Sequence, residues 1–154
     1  MHTKILMVCL GNICRSPVAD GLMQSKIDKY NLEAIVDSAG TADYHVGRHP
    51  DERSIENARK NGIDISTLRA RQFSISDFDS FDFIYVMDAS NFRNVMNLAR
   101  NEEDMAKVDL LMNAVHPGKN ISVPDPYYGG DTGFDTVFSM VDEACEAIAK
   151  KLIS

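Results

Sequence analysis

Cys9, Gly11, Asn12, Arg15 and Ser16 fall in one short stretch, Cys9-Leu10-Gly11-Asn12-Ile13-Cys14-Arg15-Ser16-Pro17, whose residue types suit nucleophilic chemistry on an oxyanion. Cys9 and Arg15 are six apart, so a loop curling around a tetrahedral oxyanion sets sulfur beneath it and guanidinium beside it. A guanidinium fork matches two phosphate oxygens. A cysteine facing several N–H dipoles, a helix N-terminus and an arginine is expected as a thiolate at neutral pH, and so as a nucleophile. Gly11 allows close backbone approach and a positive φ, and Asn12 tolerates the left-handed region. Ser16 can donate to the sulfur, stabilising it first as nucleophile and later as leaving group. A Cys with an Arg at this distance is a weak signal alone; the Gly, Asn and Ser make it specific. The plain alternative is a buried structural Cys at a strand end plus a surface Arg.

The flanking sequence supplies the elements that must position this stretch. Ile5-Leu6-Met7-Val8 reads as a buried strand. From Val18 to Tyr30, apolar Ala19, Leu22, Met23, Ile27 and Tyr30 recur at helical spacing. Ser16-Pro17 is a suitable helix opening: a hydroxyl able to cap, then a proline whose missing N–H is no loss in the first turn. A loop between a strand end and a helix start favours an anion through its N–H groups and the helix dipole. Further along, Ala34 to Ser38, Phe83 to Met87 and Val108 to Met112 read as strands. Asp51 to Asn61 reads as a helix ending at Gly62, Ser76 as the start of a short helical turn, and Ser90 to Arg100 as a helix. Ile63 to Phe73 reads mostly as loop, as does Asn113 to Gly133 with its Pro and Gly residues. A last helix carries Phe134, Val137, Phe138, Val141, Cys145, Ile148 and Leu152 on one face.

Alternating strands and helices predict an α/β fold: one three-layer sandwich domain over 1–154, with a central four-stranded parallel sheet flanked by helices. The anion-binding loop lies between the first strand and the first helix. Ligands of such sheets bind beyond the carboxyl ends of the strands. Cys9, Ser38 and Asp88 all end predicted strands, so all three could meet at one rim.

Composition narrows the partners. A net charge of -7 argues against nucleic acid or an anionic membrane. It also opposes a phosphorylated substrate globally, so attraction must be local, from Arg15 with help from Arg48 and Arg53. Three cysteines are an odd number, none needed to staple a chain of 154 residues, which fits a reduced, cytoplasmic setting. The opening apolar run is short and leads straight into the loop, so no secretory signal is read there, and no stretch approaches a transmembrane length. His45 and His49 are four apart but in a predicted loop, so no metal is implied. The loop lacks the Gly-Lys-Ser/Thr ending of a nucleotide-binding loop. No cofactor is expected.

The stretch from Cys9 to Pro17 resembles the signature of the low-molecular-weight protein tyrosine phosphatases. The likeness extends to Asp37-Ser38-Ala39-Gly40-Thr41, Val86-Met87-Asp88-Ala89-Ser90-Asn91 and Asp125-Pro126-Tyr127-Tyr128. The resemblance implies hydrolysis of phosphotyrosine, in proteins or small aryl phosphates, through a cysteinyl-phosphate, with inorganic phosphate as product. The leaving phenolate needs a proton, so a carboxylic acid must sit over the cleft. Asp125, held extended by Pro126, is the candidate; in the family the Asp of this Asp-Pro pair is the general acid and then the base for water. Turn formation is the alternative for an isolated Asp-Pro.

A phosphotyrosine ring standing over the loop needs flat apolar walls, and Tyr44, Tyr127 and Tyr128 are the candidates. The resemblance sets Tyr44 and Tyr127 beside the ring and Leu10 and Ile13 at the pocket mouth; the paired tyrosines also match positions phosphorylated in some relatives. By the same analogy Asn12 and Ser38 hydrogen-bond to hold the loop. Asp88 either orients Arg15 or caps the helix beginning near Ser90. Cys14 could join Cys9 in a protective disulfide upon oxidation, or be a small buried loop residue. Cys145 reads as core.

Three rivals follow from the same loop. Thioredoxin-coupled arsenate reductases need two further cysteines in the middle of the chain, and none stands between Cys14 and Cys145. Phosphoarginine phosphatases carry a small hydroxyl residue where this chain has Ile13, and lack the paired tyrosines. A non-catalytic phosphate-binding or redox-sensing domain would need neither nucleophile nor acid, yet Cys9, Arg15 and Asp125 are present together.

Overall fold

A computed structural model describes residues 2–126 and 131–153. Four parallel strands form one sheet in the order β2-β1-β3-β4: β1 (Thr3–Cys9), β2 (Ala34–Gly40), β3 (Phe83–Val86) and β4 (Val108–Leu110). The helices are α1 (Arg15–Lys29), α2 (Glu52–Lys60), α3 (Asp77–Ser80), α4 (Ala89–Met96), α5 (Glu102–Ala106) and α6 (Asp131–Ile153), with a 3₁₀ turn at Leu111–Ala114.

The central strand explains the layering. Residues Ile5 to Cys9 are all buried, because β1 has a neighbour on each edge and a helical layer on each face. Ile5, Met7 and Cys9 pack with Val18, Leu22 and Met23 of α1 and Val141, Ala144 and Cys145 of α6. Leu6 and Val8 point the other way, into Phe73, Phe78, Ile84, Val86 and Val95. Fully burying such a side chain contributes about 2 kcal/mol, so a polar substitution on β1 would disturb the loop at its end as well as the core. Cys145 is fully buried on the apolar face of α6, as its spacing predicts. Among the described residues, no helix is long and apolar enough to cross a membrane.

Several boundaries differ from the sequence reading. α1 begins at Arg15 and follows Cys14 without a side-chain cap, so the Ser16 hydroxyl is not a helix cap. Pro17 still falls in the first turn, where its missing N–H costs nothing. Strand β4 stops at Leu110, and Leu111 and Met112 turn into a 3₁₀ helix that buries both. Helix α4 ends at Met96, short of Arg100. Helix α5, capped by the Asn101 side chain at Asp104 N, carries too little apolar periodicity for the sequence to reveal. The 63–73 segment is loop as expected, except that Gln72 makes a single parallel bridge to Gly40.

Candidate active site

The loop between β1 and α1 is clasped from both sides. Thr41 and Ala42 donate their N–H groups to the carbonyls of Cys9 and Leu10, each at 2.9 Å, and Asp51 N donates to Ile13 O at 2.8 Å. Gly40 has to be glycine here: a Cβ would stand 2.7 Å from Leu10 O and 3.0 Å from Asn12 N. Asn12 takes up φ 58°, the left-handed conformation its type tolerates. A Cβ on Gly11 would meet His45 Cδ2 at 2.9 Å, because the His45 ring lies over the loop.

Inside the loop, a chain of polar contacts ends on sulfur. Cys9 Sγ lies 3.1 Å from Ser16 Oγ, and Asn12 Nδ2 donates to Ser16 Oγ at 2.7 Å. Ser16 Oγ also reaches Ala39 O at a longer 3.4 Å. Cys9, Asn12 and Ser16 are all buried. The Ser16 hydroxyl thus lies within hydrogen-bond reach of the cysteine sulfur.

Arg15, 2 % exposed, is held in one orientation. Its Nη1 donates to Asp88 Oδ2 at 2.7 Å and to Val123 O at 3.0 Å, while Nη2 lies 3.7 Å from Asp125 Oδ2. Burial opposes the charge, but Cys9, Asp88 and Asp125 outweigh it and the guanidinium is held more firmly protonated than usual. Asp88 fulfils both alternatives read from the sequence, since its Oδ1 caps α4 by accepting Asn91 N at 2.8 Å. Cys14 is buried against the loop, and burial first, then the charges of Asp51 and Cys9, push its thiol up to about 12. Cys9, Cys14 and Cys145 are free thiols.

A cavity of about 240 Å³ opens over this arrangement, and Cys9, Leu10, Ile13, Arg15, Tyr44 and Asp125 all line it. Gly11, Cys14 and His45 complete the lining. His45 is a wall that the sequence, where it stands only as a loop histidine four residues before His49, does not reveal. Tyr44 is well exposed and meets His45 edge to face at 6.3 Å. Tyr127 and Tyr128 lie outside the described residues.

Three expected contributors, Ser38, Arg48 and Arg53, are absent from the cavity lining. Ser38 is buried within β2, opposite Met7 and two residues before Gly40, and its hydroxyl acts on the Asp20 carboxyl of α1. Burial pushes the Asp20 carboxyl up to about 7, with Ser38 opposing the shift. Arg53 pairs with Asp51 and stacks on Phe134 at 4.8 Å, lining a neighbouring groove of about 700 Å³, and Arg48 lines neither. Arg15 is thus the one of the three arginines that lines the cavity.

Comparison with known proteins agrees with this geometry. The family described as low molecular weight phosphotyrosine protein phosphatase matches residues 4–154. A relative of that name from Schizosaccharomyces pombe is 46 % identical over 145 residues, 92 % of each chain. A protein tyrosine phosphatase structure from Entamoeba histolytica superposes with a TM-score of 0.91 at 37 % identity, covering 98 % of this chain and 97 % of the other. A Drosophila arginine phosphatase structure also reaches a TM-score of 0.91, at 31 % identity and 99 % coverage of both chains. The family match runs over nearly the whole chain, which belongs to the low molecular weight phosphotyrosine protein phosphatase family.

Proposed function

We propose that residues 1–154 act as one cytoplasmic phosphatase domain that hydrolyses phosphotyrosine monoesters, in proteins or small aryl phosphates, through a cysteinyl-phosphate. The observation that carries this reading is the convergence of Cys9, Arg15 and Asp125 on one cavity. The Cys9 thiolate attacks phosphorus in line with the bond to the phenol oxygen. That bond breaks, and the leaving oxygen takes the Asp125 proton. Arg15 and the loop N–H groups hold the equatorial oxygens as their charge redistributes. Asp125, now a carboxylate, takes a proton from the water that attacks phosphorus next. The phosphorus–sulfur bond breaks, its electron pair returns to Cys9, and inorganic phosphate leaves.

Ser16, at 3.1 Å from the sulfur, supports Cys9 both as nucleophile and as leaving group. Leu10, Ile13 and Tyr44 give the cavity an apolar mouth suited to an aromatic ring, with Tyr127 and Tyr128 as further walls in this reading. Overall fold does not separate phosphotyrosine from phosphoarginine, given the equal TM-scores to the two kinds of phosphatase. Ile13, apolar at a position where the arginine-specific relatives carry a hydroxyl, favours tyrosine. The cytoplasmic assignment is supported by three cysteines that are all free thiols.

The test compares initial rates on a phosphotyrosine peptide and a phosphoarginine peptide for wild type, Cys9→Ser and Asp125→Ala. Phosphotyrosine turnover that is abolished by Cys9→Ser and falls at least about a hundredfold in Asp125→Ala is expected. Faster phosphoarginine turnover would overturn the substrate. No turnover of either by folded, reduced wild type would overturn the enzyme reading and leave a phosphate-binding or redox-sensing domain.

A further inference from the structure

Arg71 is absent from the cavity lining, yet it is fixed from three directions beside the loop. Its Nη1 and Nη2 donate to the two carboxylate oxygens of Asp77, at 3.0 and 3.1 Å. Its Nε and Nη2 lie 3.1 Å from Asp37 Oδ2 on β2. Its carbonyl accepts Gly40 N at 2.9 Å, and two residues on Phe73 N donates to Gly40 O at 2.7 Å. The Arg71 main chain is therefore an added edge on the end of β2. The N–H held there donates to Asn12 Oδ1 at 3.0 Å.

That one donor decides which way the Asn12 amide faces. With Oδ1 taken by Arg71 N–H, Nδ2 must face Ser16 Oγ, and at 2.7 Å it donates there. Ser16 Oγ then accepts from Asn12, and its own proton is left for Cys9 Sγ at 3.1 Å rather than the more distant Ala39 O. Every donor in the series Arg71, Asn12, Ser16 points toward the sulfur. Were the amide reversed, Oδ1 would face Ser16 and compete with sulfur for the hydroxyl proton. We propose that Arg71 is a positioning residue for the reaction: its clamp on Asp37 and Asp77 aims a main-chain N–H that orients Asn12, and through Ser16 delivers a hydrogen bond to the Cys9 thiolate. This rests on the phosphatase reading above and adds to it a residue remote from the substrate.

Arg71→Ala and Asp77→Asn leave the N–H in place but loosen the segment that aims it, while Arg15, Asp88 and Asp125 stay untouched. The experiment follows the pH profile of Cys9 alkylation by iodoacetamide, read by peptide mass mapping, alongside kcat and KM on a phosphotyrosine peptide and thermal unfolding. Loss of one hydrogen bond to a charged group predicts an alkylation midpoint about one pH unit higher and a kcat about tenfold lower, with KM changed less than about twofold. Arg71→Lys, which keeps a charge near both carboxylates, should recover part of the loss. Lowered melting temperature with an unchanged alkylation profile and kcat would overturn the proposal and make Arg71 structural. Asp77→Asn retains the Arg71 side chain and its Asp37 contact, so the proposal is tested even if Arg71→Ala does not fold. An inactive wild type with a normal alkylation profile would instead count against the phosphatase reading.

Discussion

Arg15 and Asp88 join two parts of the site through a single carboxylate: Oδ2 takes Arg15 Nη1 at 2.7 Å, and Oδ1 takes the N–H of Asn91 at the start of α4. The Arg15 guanidinium is thereby referenced to the residue that follows β3 and to the helix α4 that it caps. Because the two oxygens do different work, two substitutions separate them.

Asp88→Asn keeps an effective helix cap but turns an NH₂ group toward Arg15 when its oxygen serves Asn91. It should leave melting temperature near that of wild type while lowering kcat/KM about tenfold or more. Asp88→Ala loses both contacts, and about 2 kcal/mol of stability should go with the activity. Denaturant unfolding and steady-state kinetics on both variants check this. Equal activity in Asp88→Asn and wild type would show that Asp88 acts only as a cap.

Asp20 makes stability depend on pH. Burial foremost, with Asp37 adding and the Ser38 hydrogen bond and Arg71 opposing, raises its carboxyl from an ordinary 3.8 to about 7. Between those values the folded chain holds a proton that the unfolded chain has released. Stability from this group is therefore fully present below the lower value and is lost as pH rises through the upper one, by about 1.4 kcal/mol per pH unit at most. Asp20→Asn removes the slope. Its melting temperature, measured against wild type, should rise from pH 4 to about pH 7 and level off above it; a constant difference across that range would contradict the assignment.

Gly40 carries the backbone of the loop against it, and Gly40→Ala would drive a methyl into Leu10 O at 2.7 Å. Neither atom belongs to a flexible side chain, so the loop itself has to move. A loss of about 1–3 kcal/mol in stability is expected, together with a large loss of kcat. Unchanged kinetics would mean that the loop tolerates displacement.

Oxidation should distinguish the two cysteines of the loop. Cys14, with its thiol pushed up to about 12, is a poor first target for peroxide, whereas a sulfenic acid formed at Cys9 could condense with it, releasing water and forming a disulfide. Peroxide-inactivated wild type should regain activity with dithiothreitol, and Cys14→Ala should not. Equal, irreversible loss in both would remove the disulfide from the account.

Much of this arrangement is local in sequence and therefore legible there. Strand, loop and helix follow one another from Thr3 to Lys29, and the residues that contact the sulfur and line the cavity's floor are near neighbours in the chain. The apolar runs of β1 and β3 announce a buried parallel sheet. What escapes the sequence is partnership at a distance. Arg71 meets Asn12 from 59 residues away through its main chain, which no residue type reveals. Asp20, the buried carboxyl of α1 that Ser38 acts on, lies 18 residues before it in the chain and is not marked by any sequence pattern. His45 is an unremarkable loop histidine until the chain folds its ring over Gly11. Ser16 carried two plausible roles, cap and sulfur partner, and only the start of α1 at Arg15 separates them.

The central claim is that Cys9 is the nucleophile and carries the phosphoryl group between the two half-reactions. Its most direct test is to mix Asp125→Ala, whose second step lacks its base, with a small aryl phosphate whose leaving group needs no proton, quench at alkaline pH where the sulfur–phosphorus bond survives, and map the modified peptide by mass spectrometry. One phosphoryl group on the Cys9 peptide, absent from Cys9→Ser under steady-state conditions and accompanied by loss of turnover in that variant, is the predicted result. Phosphotyrosine turnover that persists in Cys9→Ser, with no phosphoryl group on Cys9 in any variant, would contradict it.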